Sequence, residues 1–173
     1  MTDEKSIDQI SKFNIPEQSA VVKVDVTPDL VSLLGLTQGH TTIASKPFAL
    51  GATYWKSENG NRLIKSDSID MTVYQVEGNH CRCTFSSLWT EVDHHSHIKD
   101  YRGYRLTFIV KDTRNNPLFE WVTAELGDIA CRDVRRPLPN DGGVESSPIF
   151  RFPFDDVSGV WGKLNGKFVQ CHL

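Results

Sequence analysis

Long apolar runs are missing from this chain. No stretch approaches the roughly 18 apolar residues of a membrane-spanning helix, so no membrane span is expected. An excess of one charge is missing as well. Lys and Arg number 19 against 22 Asp and Glu, for a net charge of −3. Without a strong positive field there is nothing to draw in a polyanion, and no nucleic-acid partner is expected. The one local basic cluster is Arg132, Arg135 and Arg136, which reads first as a solvated loop. Cysteine is sparse, with four residues in 173. A chain of this length buries roughly 70% of the surface its unfolded form exposes and needs no covalent staples. The opening residues have no apolar stretch of a secretory signal and carry acids early, and no Asn-x-Ser/Thr acceptor occurs. A reducing cytoplasm with free thiols is therefore the expectation. Pairing of Cys131 with Cys171 stays open.

Motifs of the common catalytic classes are also lacking. There is no Gly-x-Ser-x-Gly elbow, no phosphate-binding Walker loop, no dinucleotide fingerprint and no His-Glu-x-x-His. Gly159, Gly162 and Gly166 have the wrong spacing for a phosphate cradle and read as turn residues.

What the chain does have is strand pattern. Residues 20–26 alternate, with Val22, Val24 and Val26 on one face. Thr27-Pro28-Asp29 then makes a helix start, and Gly35 is placed to end a short helix. Strand candidates follow at residues 41–50 (bent or edged by Pro47), 52–56, 62–65, 69–76, 81–92, 104–110, 118–124, 149–154 and 168–172. Asn59-Gly60 marks a hairpin turn, and residues 77–79 and 113–117 mark two more. Ser86-Ser87 is a corner at which the long candidate 81–92 is able to switch sheets. On 104–110, Tyr104, Leu106, Phe108 and Val110 are expected inside, with Arg105 and Thr107 outside. Residues 93–102 and 132–147 read as long polar loops.

The expected fold is therefore all-β: an antiparallel sandwich or jelly-roll-like barrel of about nine strands with one or two short helices. Residues 1–18, where Ser6-Ile7-Asp8-Gln9 resembles a capping box, are expected to form an arm or short helix, and residues 19–173 a single β domain.

The chemistry-bearing side chains crowd between residues 80 and 97, which hold four of the six histidines and two of the four cysteines. One shared metal site does not follow. On a straight strand rising about 3.3 Å per residue, His80 and His95 stand roughly 50 Å apart. The stretch divides into a thiol-bearing strand start and a histidine loop. Cys81 and Cys83 point the same way and read as buried structural thiols, opposite in face to His80. Asp93, His95 and His97 alternate and form a three-ligand set for zinc or another divalent metal.

Loops on a rigid scaffold carry recognition. The favoured function is a non-enzymatic module binding a protein or glycan, without a cofactor, through His94, His95, His97 and Tyr101 together with an exposed ring such as Trp55. The alternatives are a metal-dependent enzyme built on Asp93, His95 and His97, and a self-assembling subunit that pairs an edge strand with copies of itself.

Overall fold

The structure, a computed structural model, describes residues 4–15, 21–37, 41–50, 53–56, 62–66, 69–78, 80–86, 88–92, 99–129 and 135–170. Its architecture is all-β, and every strand pairing described is antiparallel. Three sheets are present, and none closes on itself among the described residues. The first sheet runs β1 (Glu4–Ile15), β15 (Gly159–Gln170), β9 (Lys99–Lys111) and β10 (Pro117–Val122), with β11 (Gly127–Ile129) also on β9. The second runs β13 (Glu145–Ser146), β7 (His80–Phe85), β6 (Ile69–Gln75), β3 (Thr42–Leu50) and β2 (Val22–Asp25), with β14 (Phe150–Arg151) on β7. The third runs β12 (Arg135–Leu138), β8 (Leu88–Val92), β5 (Arg62–Ser66) and β4 (Thr53–Lys56).

The second and third sheets are made by the same run of chain. Leu50 pairs with Ile69 in one, and Thr53 pairs with Ser66 in the other. Likewise β7 ends at Phe85 in the second sheet and β8 begins at Leu88 in the third. The Ser86-Ser87 corner is where the switch occurs, and all three hairpin turns expected from sequence join paired strands.

The first and second sheets share one core. Tyr104, Leu106, Phe108 and Val110 of β9 are fully buried and meet Ile69, Met71, Val73, Cys81, Cys83 and Phe85 of β6 and β7. Phe108 links the two layers, with ring centroids 5.8 Å from Phe85 and 5.5 Å from Trp121. Phe119 stacks on Phe150 at 4.0 Å. The inward positions of β9 are those the alternation gives, and Arg105 is exposed. Thr107, expected outside, is only 3% exposed on a stretch of β9 that β10 and β15 flank.

A smaller cluster lies on the other face of the second sheet. There Leu34 of α1 (Pro28–Leu34) and Leu36 just beyond it pack with Ile43 and Val76. Thr27 Oγ1 accepts from the Leu30 amide, Pro28 opens the helix, and Gly35 closes it in the left-handed conformation at φ 67°. Pro47 lies on β3 just past Ser45, the last β3 residue paired with β2, at a position that a fully flanked strand would not tolerate.

Several local expectations give way to long-range pairing. The first residues form a strand, not a helix: β1 pairs with β15 from Glu4↔Val169 to Ile15↔Val160. Gly162 and Gly166 are not turns but interior positions of β15, and Gly162 stands in register between Phe13 and Phe108. The fully buried Phe108 stands beside a position that has no side chain of its own. The loop expected at 132–147 holds β12 and β13, and the loop expected at 93–102 ends earlier, since β9 starts at Lys99. Gly103 lies just past that start. It has φ 67° and sits inside β9 as an irregularity, where its amide donates to Asp128 Oδ1 at 2.8 Å. Such divisions, with β1, raise the strand segments described to fifteen, against the about nine expected.

Candidate functional site

Asp93, His94, His95 and His97 lie outside the described residues, as do Arg132, Cys131 and Cys171. The strands around them are described. Residues 93–98 join β8 to β9, and residues 130–134 join β11 to β12. Glu91 pairs with Arg135, and Tyr101 pairs with Ile129. The histidine-bearing connection therefore leaves β8 beside the strand that the arginine-bearing one enters, and it enters β9 beside the strand that the arginine-bearing one leaves. Trp55 reaches the same end of the third sheet: Val92 pairs with Ile64, which pairs with Trp55. Tyr101 is a strand residue, paired with Phe168 on one side and Ile129 on the other, and not the loop residue expected.

Next to this end the described residues carry an exposed aromatic platform. Along β8, Thr90 faces inward at 1% exposure and its hydroxyl donates to the Arg136 carbonyl at 3.1 Å. Alternation then turns Trp89 and Glu91 outward, and Trp89 is 46% exposed. On the neighbouring edge strand β12, Pro137 stands opposite Trp89 and Arg135 opposite Glu91. The Arg135 guanidinium reaches diagonally over the Trp89 ring, 4.7 Å from its centroid, while its Nε lies 3.9 Å from Glu91 Oε1.

The arrangement adds little to stability. An exposed cation–π contact contributes about 0.5–1 kcal/mol, and an exposed ion pair below about 1 kcal/mol. The arrangement presents an apolar ring with a cation over it and a carboxylate beside it. Sequence reasoning passed over Trp89 in favour of Trp55 and Tyr101. A signal was present, because Leu88, Thr90 and Val92 share one face of the strand and leave Trp89 with Glu91 on the other.

The thiols sit elsewhere, in the shared core. Cys81 and Cys83 are fully buried and not disulfide-bonded. Burial pushes the Cys81 thiol up to about 11, opposed by the nearby Lys46 ammonium. It pushes Cys83 up as well, against a hydrogen bond from Ser147 and with the adjacent Cys81 adding to the rise. Cys81 Sγ points to the Phe152 carbonyl at 3.6 Å. His80 is on the opposite face, as the alternation requires. Its Nδ1 lies 2.9 Å from the Glu77 carbonyl, and Arg151 Nε donates to its Nε2 at 3.3 Å. The imidazole with its proton on Nδ1 satisfies both partners. Among the described residues no three His, Cys, Asp or Glu side chains converge on a metal-sized centre.

Buried thiols give a direct expectation. In the folded protein at neutral pH, Cys81 and Cys83 resist iodoacetamide, and both alkylate fully once the chain is unfolded, as read by peptide mass spectrometry. A folded-state thiol held above the unfolded value favours folding while it keeps its proton. That contribution is present below pH 9 and is lost as pH rises through about 11. Rapid labelling of either cysteine in the folded protein would contradict its placement.

One further buried group belongs to this core. Lys46 is 7% exposed, and its ammonium donates to the carbonyls of Phe154 and Val157 at 2.8 Å each and of Asp155 at 3.3 Å. It also lies 4.7 Å from the Phe154 ring centroid. Burial lowers its affinity for the proton, opposed by Asp155, Cys81 and Asp156. This lysine fastens the 3-10 turn at Phe154–Asp156 to β3.

No protein-family model matches the chain, and comparison with curated proteins and with solved structures finds no match either. Among the described residues no helix is long and apolar enough to cross a membrane.

Proposed function

We propose that this chain is a non-enzymatic binding module that recognises a protein partner through the outer face of β8 and β12. The observation that carries the reading is Trp89, half exposed on a paired strand, with the Arg135 guanidinium over its ring at 4.7 Å. Trp and Arg are the residues most enriched among energetic hot spots of protein interfaces. A ring on a strand is also already ordered, so little side-chain freedom is lost on binding. Glu91 and Arg135 supply a rim of both charges, which suits a polypeptide with mixed charge better than a polyanion.

A protein partner is favoured over a glycan because the Arg135 guanidinium already occupies a face of the ring that a sugar would stack on. The connection that bears His94, His95 and His97 follows β8, and the one that bears Arg132 leads into β12. No cofactor is needed for this activity.

The test is selection of a random peptide display library on the purified protein, with Trp89→Ala as counter-selection and a glycan array in parallel. Enrichment of peptides that bind the parent protein but not the variant is expected, with a silent array. An array response that depends on Trp89, or enrichment indifferent to Trp89, overturns the reading. So does stoichiometric divalent metal in the untagged protein, which would support instead the metal-dependent alternative through Asp93, His95 and His97.

A further inference from the structure

We propose that the chain forms a homodimer by pairing β2 with β2 of a second copy, about a two-fold axis through Val24, so that the second sheet continues across the interface. This is independent of the recognition face on β8 and β12.

Strand β2 is the last strand of its sheet and pairs only with β3 among the described residues. Its exposed residues mix apolar and charged side chains. Val21 is 55% exposed and Val22 is 43% exposed, and Lys23 and Asp25 are exposed between and beyond them. An edge strand of this kind offers a row of backbone donors and acceptors to another chain.

The ladder fixes which groups point outward. The Val26 amide donates to the Thr41 carbonyl at 3.0 Å, which makes Val26 and Thr41 a hydrogen-bonded pair. Val24↔Ile43 and Val22↔Ser45 lie on the same register two and four residues back and share that character. Hydrogen-bonding direction alternates along a strand, so the N–H and C=O groups of Lys23 and Asp25 face away from β3, toward the open edge.

An antiparallel partner strand must engage those outward groups, and few registers do so. One sets Lys23 opposite Lys23 of the second copy, and another sets Asp25 opposite Asp25. Both place like charges directly across the ladder, which is destabilising. The remaining register sets Lys23 opposite Asp25, and Asp25 opposite Lys23. Each of these two pairs exchanges both backbone hydrogen bonds and carries an ion pair on the sheet face.

The same register places Val24 against Val24 and Val22 against Val26. The segment Val22-Lys23-Val24-Asp25-Val26 is thus complementary to itself when read antiparallel. That is the requirement of an isologous two-fold contact. A lysine on an edge usually guards it against association. An aspartate two residues on turns that guard into half of a matched pair.

The test is sedimentation of the full-length chain over a wide concentration range, for four proteins. The parent is expected to dimerise. Lys23→Asp and Asp25→Lys each set like charges opposite one another twice, and each weakens self-association by about tenfold or more. The double variant Lys23→Asp/Asp25→Lys restores opposite charges and recovers the dimer. An equimolar mixture of the two single variants forms a heterodimer, which a misfolded variant would not do; unchanged thermal unfolding of each variant shows the same thing separately. A parent protein that stays monomeric at every concentration overturns the proposal. So do single variants that associate as the parent does, or a double variant and a mixture that both stay monomeric.

Discussion

Phe108→Ala is expected to lower stability by about 4 kcal/mol, because a fully buried aromatic ring is lost and the cavity refills only in part. In a chain of this length that corresponds to a midpoint about 8–16 °C lower in thermal unfolding. The size of the effect follows from position. Phe108 is fully buried in the middle of β9, within 5.8 Å of Phe85 on the facing sheet and 5.5 Å of Trp121 on its own sheet. Its removal subtracts contacts from both layers at once. Phe108→Leu keeps most of the apolar volume and is expected to cost about half as much or less. Equal small effects for alanine at Phe108 and at exposed Val122 would contradict a core shared by the two sheets.

Lys46→Met is expected to cost about 3 kcal/mol, and the midpoint falls by about 6–12 °C. The methionine fills the space of the lysine stem, so little packing is lost. What is lost is the donor for three carbonyls at the Phe154–Asp156 turn, at 2.8, 3.3 and 2.8 Å. A hydrogen bond to a charged donor contributes about 1.5–3 kcal/mol; the Phe154 carbonyl keeps the Val157 amide, the Val157 carbonyl loses the lysine, and the more exposed Asp155 carbonyl recovers a water. Amide exchange at Val157, whose N–H donates to the Phe154 carbonyl, accelerates in the variant more than exchange in β9 does. Stability unchanged by Lys46→Met would show that the ammonium does not hold the turn.

Legibility in the sequence followed the range of the interaction. The cap at Thr27, the proline at 28 and the left-handed Gly35 are short-range chemistry, and α1 has the ends they specify. The Asn59-Gly60 hairpin and the corner at Ser86-Ser87 are equally local. Alternation on residues 104–110 identified four core residues of β9 because a single buried face imposes a period of two. The misses are non-local. Ser6-Ile7-Asp8-Gln9 carries a helix-start pattern, yet β1 is held by pairing with β15 at the far end of the chain. Gly162 breaks a strand pattern when read alone, and only the flanking register of Phe13 and Phe108 explains it. Gly103 is a left-handed residue inside β9, and nothing nearby in sequence announces Asp128 as the acceptor that holds its amide.

The candidate site was legible in part. The histidine segment drew attention through composition, which says nothing of what lies beside it. The pairing of Glu91 with Arg135 brings an arginine-rich segment next to the histidine one, across a separation that sequence pattern does not span. Trp89 was recoverable from the alternation of five residues, but its partner Arg135 was not. Cys81 and Cys83 were legible as core thiols, since their spacing places both on the inward face of β7.

The recognition face is tested most directly by titration calorimetry of one enriched peptide against the parent protein and against Trp89→Ala. A hot-spot tryptophan predicts a loss of affinity of about 30-fold or more, corresponding to about 2 kcal/mol, with unchanged thermal unfolding of the variant. Equal affinity for the two proteins would contradict a recognition surface centred on Trp89.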